Sequence, residues 1–107
     1  MQENEFHPLA DGMLTHLLDA IEAADADGEL EVDLTQGVLS IDLPDGKQFL
    51  VSKHAPSMQL WLSSFLSGGL HFSYVAASGH WLLKDGRSLP SVLAADIAQA
   101  TGMEIYL

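Results

Sequence analysis

A chain of 107 residues with 15 Asp and Glu, 4 Lys and Arg, no cysteine and a net charge of −11 is read as one domain, able to bury roughly 65% of its unfolded surface. Lacking thiols, it has no disulfide, no cysteine-bound zinc and no cysteine-held iron–sulfur cluster, which fits a reducing compartment. Its acidity excludes nucleic acid and anionic membranes as partners, and no apolar run approaches the roughly 20 residues that span a bilayer.

The chain opens Met1-Gln2-Glu3-Asn4-Glu5, acidic where a targeting peptide is basic, so a soluble intracellular protein is expected. Phe6, Leu9, Ala10, Met13, Leu14, Leu17, Ile21 and Ala24 then recur every three or four residues, the stripe of a helix lying on a core. The spacing predicts a helix over 3–25, with Asn4 to cap it and Pro8 in its first turn, where a missing N–H costs little. At about 100° per residue, Asp11, Asp19 and Glu22 fall opposite the stripe, with Asp25 near the edge of that face. Acids at the carboxyl end of a helix oppose its macrodipole, each costing about 0.3–1 kcal/mol when exposed. Locally, this is an unfavourable choice.

Past Asp25-Ala26-Asp27-Gly28 the hydrophobic period shortens to that of a strand: Leu30, Val32 and Leu34 alternate with Glu29, Glu31 and Asp33. One face of this strand is apolar and the other is acidic. Asp19, Glu22, Asp25, Asp27, Glu29, Glu31 and Asp33 thus form a run with no base among them, and every Lys and Arg of the chain lies after residue 46. Uncompensated charge of this kind destabilises the compact state but concentrates potential that attracts cations and basic protein surfaces. Carboxylates are hard ligands suited to Fe²⁺, Fe³⁺, Mn²⁺ and Ca²⁺. An open ridge offers few oxygens per ion, so binding should be weak and poorly selective. Asp25, Asp27 and Glu29 mimic the start of an EF-hand, but Leu30 and Gln36 stand where that loop needs Gly and Glu, which excludes a calcium sensor.

Strands are expected at 38–43, 47–52, 58–63, 70–75 and 80–84. They are separated by turns at Gln36-Gly37, Pro44-Asp45-Gly46, Ser67-Gly68-Gly69 and Ala77-Ser78-Gly79 and by a break at Pro56. After Asp85-Gly86, Ser88 caps a second helix with Pro90 in its first turn; Leu89, Val92, Leu93, Ile97 and Ala100 form its stripe, and Gly102 stops it. Met103, Ile105 and Leu107 alternate in a last strand or extended tail. Helices flanking a meander of about six antiparallel strands must pack together on one of its faces, roughly parallel to each other, in a two-layer α+β sandwich.

Within the strand at 58–63, Leu60 and Leu62 share one parity and Gln59, Trp61 and Ser63 the other. With the aliphatic side inward, Trp61 lies on the open face, and an exposed Trp is an interface anchor. Trp81 shares parity with Leu83 and packs. The histidines show no metal-binding spacing, although His7 near the acidic face is a candidate ligand. No nucleophile motif or phosphate loop is present, Ser63-Ser64 is read as sheet surface rather than as catalytic, and no catalytic residue is assigned.

Glu5-Phe6-His7 with Leu9-Ala10-Asp11, the acidic turn, Gly37 to Ile41, and above all Lys53, Pro56, Gln59 and Trp61 to Ser64 resemble the frataxin family, in particular its bacterial CyaY members. Gly69, His71-Phe72, Trp81, Asp85-Gly86 and the Leu-rich second helix carry the resemblance over nearly the whole chain. It implies a non-enzymatic accessory of iron–sulfur cluster assembly in the bacterial cytoplasm. Iron, Fe²⁺ or Fe³⁺, would be held weakly at Asp19, Glu22, Asp25, Asp27, Glu29, Glu31 and Asp33. The cysteine desulfurase and scaffold machinery would be met through Glu22, Asp25 and a sheet surface of His54, Gln59, Trp61 and Ser63. The resemblance further implies a monomer without metal and an iron-driven oligomer, and its rival reading is a ferroxidase or iron-storage protein. A third reading, an acidic DNA mimic, predicts indifference to iron. Ser52 and His54 stand where relatives often have Asn and Gln, while Leu18 and Ala23 replace acids and thin the helical part of the ridge. The tail, shorter than in some relatives where it covers the groove between the helices, implies modest stability.

Overall fold

A computed structural model describes residues 1–107. Helix α1 (Glu3–Ala24) precedes strands β1 (Glu31–Thr35), β2 (Val38–Asp42), β3 (Gln48–His54), β4 (Gln59–Ser64), β5 (Gly68–Val75) and β6 (His80–Leu82), and helix α2 (Leu89–Thr101) follows. The strands form one antiparallel meander in sequence order, so β1 and β6 are its edges. The expected two-layer α+β sandwich is the observed one.

Register decides what each face carries. Leu39 opposite Val51, Ile41 opposite Phe49, and Leu60 opposite Phe72 line the inner face. The α1 stripe Phe6, Ala10, Leu14, Leu17 and Ile21 and the α2 stripe Leu89, Val92, Leu93 and Ile97 close over it in one buried cluster. Trp81 is 2% exposed in this core, its ring edge-on to Phe6. The outer face has no second layer.

Several boundaries differ from the sequence reading. Asn4 does not cap α1; Gln2 occupies that position without a side-chain bond, and Glu3 and Glu5 supply the first-turn acids that a helix amino terminus favours. Pro8 consequently lies deeper in the helix, tolerated on an exposed side. β1 begins at Glu31 rather than at Glu29, because the Asp25 carboxylate accepts the backbone N–H groups of Glu29 (3.0 Å) and Leu30 (2.8 Å) and bends the chain there. Met58 lies outside β4, in left-handed backbone (φ 54°) closing a short turn of 3₁₀ helix, Ala55–Ser57. β5 starts at Gly68, so the expected glycine loop is partly strand. β6 ends at Leu82, where the Leu83 N–H turns to the Arg87 carbonyl. At the first hairpin Gln36 and Gly37 both take positive φ (51° and 75°), the paired left-handed geometry that matches strand twist.

Ser64 departs from the expected sheet surface. It faces inward and donates to Asp96 of α2 (2.7 Å), which also accepts from Ser67 (2.8 Å). The Ser64 hydroxyl accepts the N–H groups of Leu66 and Ser67, so one buried polar knot fastens the β4–β5 turn to α2. The tail is extended but unpaired. Ile105 enters the core at 6% exposure, and His16 Nε2 on α1 hydrogen-bonds the Leu107 carbonyl at 2.8 Å.

Candidate functional site

The acidic residues gather around one edge of the sandwich. Asp19 and Glu22 are exposed on the last turns of α1, Asp27 and Glu29 lie on the connecting loop, and Glu31 and Asp33 point outward from edge strand β1. Because α1 packs against β1 while Glu31 and Asp33 take the parity opposite to inward Val32 and Leu34, the ridge wraps from the helical layer round to the outer sheet face. None of its acids is salt-bridged within the chain. Asp33 accepts only the Thr35 hydroxyl (2.6 Å), and Asp25, half-buried, has both oxygens committed to backbone. The ridge therefore divides into six open carboxylates and one structural one.

No three Asp, Glu or His side chains converge on a common point anywhere in the chain. This donor set fits ions held by one or two carboxylates and water, not an enclosed centre. Charge on an exposed edge strand also opposes edge-to-edge pairing.

His7 is not part of this ridge. Its Nδ1 lies 3.2 Å from Lys53 Nζ, which also pairs with Asp11 at 2.8 Å. At 1.5 Å rise per residue, Asp19 is roughly 18 Å further along the helix. The basic half of the chain thus neutralises one acid of α1, but at the end remote from the ridge.

The outer sheet face carries the second set of expected residues. Register places His54 opposite Gln59, and Trp61 between Ser52 on β3 and His71 on β5, all on the open side with exposed Ser63. Trp61 Nε1 donates to Gln59 Oε1 (3.0 Å), and Gln59 Nε2 donates to Ser73 Oγ (3.1 Å). The indole lies nearly parallel to two imidazoles, His54 at 3.7 Å and His71 at 4.1 Å between ring centroids, each tilted by 12°. Reading residues singly missed this stack. The signal lay in the cross-strand register of 54, 61 and 71.

Beside His71 the face dips into a cleft lined by Gln59, Ser73, Lys84, Asp85 and Arg87. There the Arg87 backbone N–H, with its guanidinium 2.9 Å away, holds the Asp85 carboxyl below its usual range against a smaller opposing effect of desolvation. Two of the four Lys and Arg thus sit beyond the β6 edge, across the sheet from the acids.

No helix is long and apolar enough to cross a membrane. The chain is similar to the iron-sulfur cluster assembly protein CyaY of Azotobacter vinelandii, 37% identical over 106 residues that cover 98% of this chain and 94% of that one. Its fold superposes on frataxin from Psychromonas ingrahamii with a TM-score of 0.87 at 23% identity, covering 98% and 96% of the two chains. It also resembles a trimeric frataxin from Saccharomyces cerevisiae complexed with ferrous iron, with a TM-score of 0.75 at 32% identity over 90% of this chain and 88% of that one. The model of the frataxin-like domain matches residues 1–103, and the chain belongs to the frataxin family.

Proposed function

We propose that this protein is an accessory of iron–sulfur cluster assembly that holds iron weakly on its acidic edge and docks onto a cysteine desulfurase and its scaffold. The observation that carries this reading is the set of six solvent-facing carboxylates, Asp19, Glu22, Asp27, Glu29, Glu31 and Asp33, left without an internal base. Such groups exchange water for a passing cation at little cost and release it as readily, which suits delivery or sensing better than storage. The same charges steer a basic protein surface, and Trp61 with Gln59 and Ser63 offers an anchored patch on the uncovered sheet face. The role proposed is non-enzymatic, as the family membership suggests.

The test is affinity for purified desulfurase. Charge reversal of Glu22, Asp27 and Glu29 to Lys abolishes binding, and raising ionic strength weakens the native complex, since exposed charges are screened beyond about 8–10 Å at physiological salt. Unchanged affinity of the reversed variant rejects the ridge as the contact. The ferrous-complexed trimer of the yeast relative favours a second reading, an iron-driven oligomer with ferroxidase or storage capacity. That reading predicts repeated oxygen consumption, with assembly into large oligomers, when Fe²⁺ is added in air, whereas a weak surface binder shows no repeated turnover.

A further inference from the structure

We propose that His54 and His71 are positioning residues for docking through Trp61, an inference that rests on the sheet-face reading above. The two imidazoles come from the strands on either side of β4, and each lies against the indole at stacking distance and only 12° from parallel. Its Nε1 is meanwhile fixed by Gln59. With rings stacked on it from both sides and its N–H tied, the indole has one orientation and offers a partner its free edge. His54 is itself held, its Nδ1 2.6 Å from the Ser57 hydroxyl; His71 leans over the cleft that Lys84, Asp85 and Arg87 line. An anchor immobilised before encounter loses less freedom on binding.

The stack is read first in the free protein. Two Trp give two indole N–H signals in ¹H–¹⁵N spectra, and the one lost in W61F is that of Trp61. In H54Q/H71Q this signal moves, because the indole loses the two rings stacked on it, while that of Trp81 stays. A Trp61 signal that keeps its native position in H54Q/H71Q overturns the stack. Affinity is then measured on the purified desulfurase–scaffold complex. H54Q/H71Q binds roughly three- to tenfold more weakly, the cost of ordering one free side chain. H54F/H71F, which keeps two flat rings, restores most of the loss. If W61A weakens binding but H54Q/H71Q does not, the positioning role is overturned and the docking face stands. If W61A binds like the native chain, the docking face itself fails and the role with it.

Discussion

The Asp25 carboxylate spans two successive backbone donors, taking the N–H of Leu30 at 2.8 Å with Oδ2 and that of Glu29 at 3.0 Å with Oδ1. One acid of the ridge is therefore the clasp that carries the chain from α1 into β1. Asp25→Ala leaves both N–H groups without this acceptor and should cost about 1–2 kcal/mol in urea unfolding. Asp27→Ala and Glu29→Ala, whose side chains have no internal partner, should stay within about 0.5 kcal/mol of the native chain. Equal effects at the three positions would contradict the division into one structural and several open carboxylates. Charge-reversal experiments on the ridge should accordingly leave Asp25 in place.

Lys53 joins β3 to α1 and covers a turn. Its ammonium pairs with Asp11 at 2.8 Å, and its stem passes so close to Gly37 that a Cβ there would lie 2.7 Å from Cε. Lys53→Ala should lose about 1–2 kcal/mol, more through uncovered packing than through the ion pair. Asp11→Ala, which removes only the pair, should lose well under about 1 kcal/mol. Thermal unfolding of the two variants checks this, and equal losses would assign the stabilisation to charge.

Both helical stripes and the inward side of β4, Leu60 and Leu62, were legible from periodicity, because burial on one side of a regular element leaves a repeat of 3.6 or 2. Trp61 was placed on the open face by the same parity. What escaped depends on contacts between distant segments. Ser64 looked like surface beside Ser63, yet its inward parity meets Asp96, an acid 32 residues away that no local pattern marks. The start of β1 was displaced by a capping carboxylate that competes with strand pairing, and His7 was drawn away from the ridge by Lys53, 46 residues later in the chain. The histidine stack needed the register of three strands.

Ile105 fixes the tail to the core. At 6% exposure it belongs to the core cluster that holds both helices' apolar stripes, and the His16 contact to Leu107 holds the segment beyond it. Ile105→Ala should cost about 2–3 kcal/mol, in the lower part of the range for large-to-small core changes because a tail can settle into the gap. His16→Ala should cost less than about 1 kcal/mol. A neutral Ile105→Ala in urea unfolding would mean that the tail contributes nothing to stability.

Asp85 should titrate below its ordinary value of 3.8. A depressed carboxyl stabilises the fold above its unfolded pKa and loses that contribution as pH falls through the folded value, so the effect is confined to acid below about pH 4. Because the leading cause is the Arg87 backbone N–H rather than its guanidinium, Arg87→Ala should leave part of the depression in place. Carboxyl ¹³C shifts followed from pH 6 to 2 in the native and Arg87→Ala chains check this. A return of Asp85 to its ordinary midpoint in the variant would contradict it.

An amide NMR titration with Fe²⁺ under anaerobic conditions tests the open acidic edge most directly. Paramagnetic broadening should begin at residues 19–33, spare the region of His7, Asp11 and Lys53, and vanish when Glu22, Asp27 and Glu29 become Lys. Broadening spread evenly over the chain, centred on the sheet face around His54 and His71, or unaltered in the reversed variant would contradict the account.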